Sequence, residues 1–239
     1  MTKRSRLADL LYEVIQWGKT AAYSAIVLLL VLSSFAARAQ PALQSGTATE
    51  RDFGTIVRLS KWPTTALNVC WENPSSADEE LRSVVRRAVE ETWVRNSALT
   101  FDGWGHCEQA SLGIRIQVDE AYPHVKKIGR FGDGLPNGMV LNFSFNKWKP
   151  TCRLRLEFCV YAIAVHEFGH ALGFTHEQNR PDAPEECQAD SQGVDGDFLV
   201  TNYDPASIMN YCNPAWIGDG HLSVLDIIAV RTIYGDRQK

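Results

Sequence analysis

Two periodicities organise the chain. "LNVCW", Leu67 to Trp71, alternates apolar and polar positions as a half-buried strand does, and "ENPSS" then interrupts it. A helix is predicted next: Ser76 with Glu79 three residues on reads as a capping box, and Leu81, Val84, Val85, Ala88, Val89 and Trp93 share one face. The charges between them, such as Arg86 and Glu90, form a solvated face of i,i+4 pairs. "FDGWGHC" at 101–107 reads as a turn and "IRIQV" at 114–118 as a second strand. After the loop "GRFGDGLPNG" at 129–138, "MVLNFSF" at 139–145 predicts a third strand with Met139, Leu141, Phe143 and Phe145 on one face. A helix starts near Glu157 and runs through "VYAIAVHEFGHALG"; its apolar surroundings predict burial, except on the face that shows the histidines. "LSVLDIIAVRTIYG" closes the pattern as a helix, with Leu222, Leu225, Ile228, Ala229 and Ile233 at helical spacing and Gly235 as its stop.

The N-terminus reads differently. Lys3, Arg4, Arg6 and Lys19 form a basic lead-in to "AAYSAIVLLLVLSSFAA", and "ARA" at 37–39 offers the small-x-small site of signal peptidases. Residues 1–39 are therefore expected to be a secretion signal, cut after Ala39, and the product to be secreted or periplasmic. The alternative is an uncleaved membrane anchor, because the apolar run is near the lower length limit for spanning a bilayer. Residues 40–61 read as a leader or short pro-segment, and residues 62–239 as one globular domain, expected to be monomeric.

Composition narrows the class. With 45% hydrophobic and 22% charged residues, the chain is neither disordered nor fibrous. Residues 1–39 carry five basic and two acidic side chains, so their removal takes the formal net charge from −4 to −7. An acidic product argues against nucleic acid as a partner. All six cysteines (70, 107, 152, 159, 187 and 212) lie beyond the signal, which favours disulfides. Fifteen pairings are possible; sequence proximity suggests 70 with 107, 152 with 159 and 187 with 212.

The chemistry concentrates in "HEFGHALGFTHEQNR", residues 166–180, which holds three of the six histidines. His166 and His170, four apart on a helix, share one face and can both reach one ion. Glu167 can then reach a water on that ion without being a ligand. A straight helix cannot bring in a third ligand, but Gly173 can take a left-handed conformation that ends the helix and returns His176 to the site. Three imidazoles leave an open position, as catalytic zinc (Zn2+) sites do. His106, His124 and His221 lack such a setting and read as ordinary polar or core residues.

"HEFGHALGFTH" resembles the extended zinc motif of the metzincin metallopeptidases, and the "HEQNRPD" that follows is similar to the astacin branch. "SIMNY", 207–211, resembles the astacin Met-turn. The resemblance implies an α+β, zincin-like fold: a twisted mixed sheet with two long helices above a short C-terminal subdomain that contains the Met-turn and ends in a helix. It implies Met209 as the floor of the metal site and Tyr211 as a movable ligand that becomes an oxyanion donor. It also implies that the strand "MVLNFSF" is the sheet edge that pairs with substrate, and that Glu177 is placed to meet the amino terminus of a matured chain. The alternative for Glu177 is a surface glutamate.

The expected function is that of a secreted zinc-dependent endopeptidase, in which Glu167 acts as general base and then acid for a zinc-activated water. Its partners would be protein or peptide substrates. The alternatives are an inactive zinc-bound peptide-binding protein, or a hydrolase restricted to a special peptide such as a cell-wall crosslink. No cysteine lies in 40–61, so a cysteine switch of the matrixin kind is excluded. "DSQGVDGDF" at 190–198 reads as a solvated surface turn, its aspartates matching no calcium-loop spacing.

Overall fold

The computed structural model describes residues 54–188 and 191–237. The expected signal and most of the expected leader lie outside the described residues. Among the described residues, no helix is long and apolar enough to cross a membrane.

Strand β1 spans Gly54–Ile56 and β2 spans Ala66–Trp71, with Leu67, Val69 and Trp71 buried as the alternation requires. Strands β3 (Thr100–His106), β4 (Ile114–Val118), β5 (His124–Val125) and β6 (Met139–Leu141) complete a five-stranded sheet in the order β3-β2-β4-β6-β5. All neighbours are parallel except β5, which runs antiparallel to β6.

Two strand expectations need correction. "FDGWGHC" is not a turn: Phe101–His106 belong to β3, paired in parallel with β2 across a register shift at Val69/Cys70. Gly103 makes this approach possible, since a Cβ there would lie 2.8 Å from the Val69 carbonyl oxygen. The third strand stops at Leu141, and β6 is not the sheet edge. It lies between β4 and β5, so the edge is the two-residue β5, which is too short to announce itself by alternation.

Helix α1 covers Glu79–Val89 and continues as a wider π turn through Val94. Its capping box is formed by Ser75 and Asp78, one residue before the expected pair, and opens a short 3-10 turn ahead of the helix. Val84, Val85, Ala88 and Val89 are buried; each valine contributes roughly 1.5–3 kcal/mol by leaving water. The π turn carries Trp93, whose Nε1 donates to the Val165 carbonyl at 2.9 Å and ties α1 to α2, Leu156–Ala171. Twelve of the sixteen residues of α2 are buried, so amphipathicity could not have marked its face.

After α2 come a short helix α3 (Glu185–Gln188), strand β7 (Phe198–Val200), the 207–211 turn and helix α4 (Val224–Tyr234). Ser223 and Asp226 form the capping box of α4, and its buried face runs through Asp226, Ala229, Val230 and Tyr234, leaving Ile228 exposed. Strand β7 pairs antiparallel with β1, so residues 54–56 are a strand of the folded domain. The disulfides are Cys70–Cys107, Cys152–Cys159 and Cys187–Cys212, the pairing expected from sequence proximity. Three disulfides suit an extracellular protein.

Away from the site, Arg115 forms a two-pronged pair with Glu72, Nε to Oε1 at 2.9 Å and a second nitrogen to Oε2 at 3.0 Å. Glu72 also accepts from the Asn137 N–H, so the pair joins β2, β4 and the loop before β6.

Candidate metal centre

The last two turns of α2 stack His166 and His170 on one side. The helix ends at Gly173, whose φ of +99° lies in the left-handed region, and the Phe174 N–H returns to the Gly169 carbonyl at 3.0 Å. That reversal brings His176 back, as the glycine predicted. The three Nε2 atoms lie 3.1, 3.1 and 3.3 Å apart. Nitrogens about 2.0–2.1 Å from a tetrahedral zinc ion sit roughly 3.3 Å from one another, so the triangle fits such an ion.

The opposite ring nitrogens explain the aim. His166 Nδ1 meets the Ile208 carbonyl at 2.8 Å, His170 Nδ1 the Phe174 carbonyl at 2.9 Å, and His176 Nδ1 the Gln192 carbonyl at 2.9 Å. A carbonyl only accepts, so each Nδ1 carries the proton and each Nε2 lone pair faces its neighbours. Burial, with the charge of His176 second, pulls the His166 pKa down to about 3; burial also lowers His170 and His176. The rings are held neutral, the state in which imidazole binds a metal.

Glu167 is buried beside them. Its Oε2 has no hydrogen-bond partner among the described residues, and burial lifts its pKa to about 8. A cation at the histidines would pull that value back down and favour the carboxylate. An orphaned carboxylate oxygen beside three converging imidazoles fits a polar reactant brought between them.

Beneath the site, the backbone at 207–211 turns back under α2. The Glu177 N–H donates to the Met209 carbonyl at 2.9 Å, and Met209 is 3% exposed. The Tyr211 ring lies 4.5 Å from that of His176 and 5.4 Å from that of His166, and the Tyr211 N–H donates to Gln178 Oε1 at 3.1 Å. Burial first, then the Tyr122 hydroxyl and the Glu167 charge, raise the Tyr211 phenol well above its ordinary range, so it stays a donor.

Glu177 is not a surface residue. It is 5% exposed, accepts from the Asp204 N–H at 2.9 Å, and lies 3.4 Å from the Arg180 guanidinium. Arg180 is itself buried; it grips Asp182 with two nitrogens at 2.8 Å each and donates to the Thr55 hydroxyl at 3.2 Å. The amino terminus of the chain lies outside the described residues.

Two depressions flank Glu167 and Tyr211. One, of about 480 Å³, runs along His124–Ile128 to Phe131 and Val194; the other, of about 340 Å³, lies between Trp148, Ile163, Trp216 and Ile217. Tyr122 and Gln192 line both. The sequence carried no motif for Tyr122, Trp148, Gln192 or Trp216, which come together only through loop placement.

A mixed sheet backed by two long helices, a histidine triad at the end of one of them and a methionine turn below form the α+β, zincin-like fold that the sequence resemblance implied. Over about a third of its length the chain is similar to the astacin peptidases. The model of the Astacin peptidase family matches residues 148–226, which run from the approach to α2 into α4. Protein SpAN of Strongylocentrotus purpuratus is 26% identical over 191 residues, covering 72% of this chain but 28% of SpAN, so the chain spans little more than a quarter of that relative. Among solved structures, myroilysin matches with a TM-score of 0.53 at 20% identity, over 77% of this chain and 100% of myroilysin, a likeness of fold.

Proposed function

We propose that this chain is a secreted zinc endopeptidase, with His166, His170 and His176 as metal ligands, Glu167 as general base and acid, and Tyr211 as oxyanion donor. The observation that carries the reading is the triangle of Nε2 atoms 3.1–3.3 Å on a side, with the unpartnered Glu167 Oε2 beside it. His166, His170 and His176 would hold a zinc ion, which would supply Lewis acidity there, lowering the pKa of a water toward 7 and polarising a carbonyl. Glu167 accepts the proton of the attacking water and delivers it to the leaving amine. The neutral Tyr211 hydroxyl donates to the oxygen on which charge develops.

An extended peptide is the substrate this cleft suits. The outer edge of β5 faces no other strand among the described residues, and main-chain pairing there places a peptide across Glu167. A peptide antiparallel to β5 runs from the Phe131 depression toward the Trp148 depression, so residues after the scissile bond enter the aromatic one. Export follows from the basic lead-in, the apolar run and the Ala37-Arg38-Ala39 site, with the disulfides formed after transfer.

The test is cleavage of an unfolded protein mixture by the oxidised protein, by Glu167→Ala and by the protein treated with a zinc chelator. Activity in the first sample alone supports the proposal. A zinc-loaded wild-type protein that binds peptides yet cleaves none would replace it with the binding role.

A further inference from the structure

The histidines do not have equally firm outer partners. Ile208, which supplies the carbonyl for His166, is fully buried in the core, and Phe174, which serves His170, is stacked on Trp93 at 5.6 Å. Gln192, which serves His176, lies in the exposed stretch 191–195, which has no regular secondary structure. Burial does not hold that carbonyl in place, so hydrogen bonds must.

The bonds come from Asn179. Its Nδ2 donates to the Gln192 carbonyl at 2.7 Å, and its Oδ1 accepts the Gln192 N–H at 3.0 Å. The same amide nitrogen approaches the Val194 carbonyl at 3.4 Å and Asp195 Oδ1 at 3.3 Å. Asn179 sits one 3-10 turn beyond His176, its N–H bonded to the His176 carbonyl at 3.2 Å. Two side chains of one turn therefore grip the same carbonyl and fill both its lone pairs. Asparagine suits this: it offers a donor and an acceptor at equal reach, where aspartate has no donor and serine is shorter. Farther along, the Arg58 N–H donates to Asp197, and the Asp197 N–H donates to the Ile56 carbonyl at 3.1 Å, anchoring the far end of the segment to β1.

We propose that Asn179 is a positioning residue for the third metal-binding histidine, acting through the Gln192 carbonyl that both side chains share. This rests on the reading of His176 as a ligand. It also gives the stretch 191–195 a role: it presents the carbonyl that fixes the tautomer and ring angle of His176, and Gln192 lines the cleft on both sides of Glu167. Outer partners of this kind are typically worth about 10–100-fold in metal affinity.

The experiment measures zinc affinity by competition with a chelating dye, for zinc-freed wild type, Asn179→Ala and Asn179→Asp, beside the Tm of each zinc-free protein. The expected result is a roughly 10–100-fold loss of zinc affinity in both variants, with zinc-free Tm values close to wild type. Asp keeps the acceptor for the Gln192 N–H but loses the donor, so it supplies the answer if the alanine variant does not fold. Variants that bind zinc within twofold of wild type overturn the assignment, whatever their Tm. Affinity is read apart from hydrolysis, so a zinc-binding protein without peptidase activity defeats the proposed function and leaves this assignment to be decided by the affinities. A wild-type protein that binds no zinc overturns both.

Discussion

The thioether of Met209 rests against the backbone of Gly169, so closely that a Cβ at Gly169 would fall 2.4 Å from Met209 Sδ. The methionine of the turn and the glycine between the two helical histidines are thus a fitted pair. Gly169→Ala is expected to cost about 1–3 kcal/mol by overpacking, and Met209→Ala about 2–5 kcal/mol by leaving a cavity. In the double variant the smaller side chain makes room for the new methyl. Urea unfolding of the four proteins should show a loss well below the sum of the single losses, and strict additivity would refute the contact.

Tyr211→Phe removes one hydroxyl and leaves the ring against His176. If that hydroxyl donates to the developing oxyanion, kcat falls by about a hundredfold or more while zinc content stays at the wild-type value. Steady-state kinetics with metal analysis check this, and an unchanged kcat removes Tyr211 from the mechanism.

Gly173→Ala attacks the reversal that returns His176. A φ of +99° disfavours any L side chain, and the added Cβ would lie 2.5 Å from Ser60 Oγ. The strain is expected to cost at least about 1–2 kcal/mol and to weaken zinc binding together with stability. Thermal unfolding and dye competition on one sample would show both losses. A variant that retains full zinc affinity would mean that the turn tolerates another route to His176.

Arg180 holds a carboxylate from each direction, the buried Glu177 at 3.4 Å and the exposed Asp182 at 2.8 Å. Burial lifts the Glu177 carboxyl to about 8 even beside Arg180, so Arg180→Ala leaves Glu177 to take up a proton and should cost about 1–3 kcal/mol for the lost buried partner, measurable as a shift of the urea midpoint. Loss of the bond to Thr55 should also speed proteolytic nicking near β1.

Glu72 sets an acid limit on stability. The hydrogen bond from Arg115 is the first cause holding its carboxyl below the ordinary 4.5, opposed by burial. A carboxyl depressed in the fold contributes its stability above the unfolded pKa and loses it as pH falls through the folded one. Wild-type urea midpoints should therefore drop from about pH 4.5 downward, while Glu72→Gln starts lower at neutral pH and falls less steeply in acid. Parallel acid slopes would show that another group controls the loss.

What is local in this protein was legible in its sequence. Helix α2, the i,i+4 histidines with Glu167 beside the first, and the glycine that frees His176 follow from periodicity and backbone preference, and so does strand β4. The disulfides followed too, because each joins cysteines adjacent in sequence order. Tertiary structure decided what depends on distant segments meeting. The carbonyl that orients His166 comes from 42 residues downstream, and the one for His176 from 16 residues downstream in a turn whose composition reads as mere surface. Strand β3 looked like a turn because its glycine and tryptophan are explained only by the neighbouring backbone of β2. The sheet edge shifted from β6 to β5 because two residues carry no period, and only pairing defines them as a strand. Backbone carbonyls leave no letter in the sequence, and three of them aim this site.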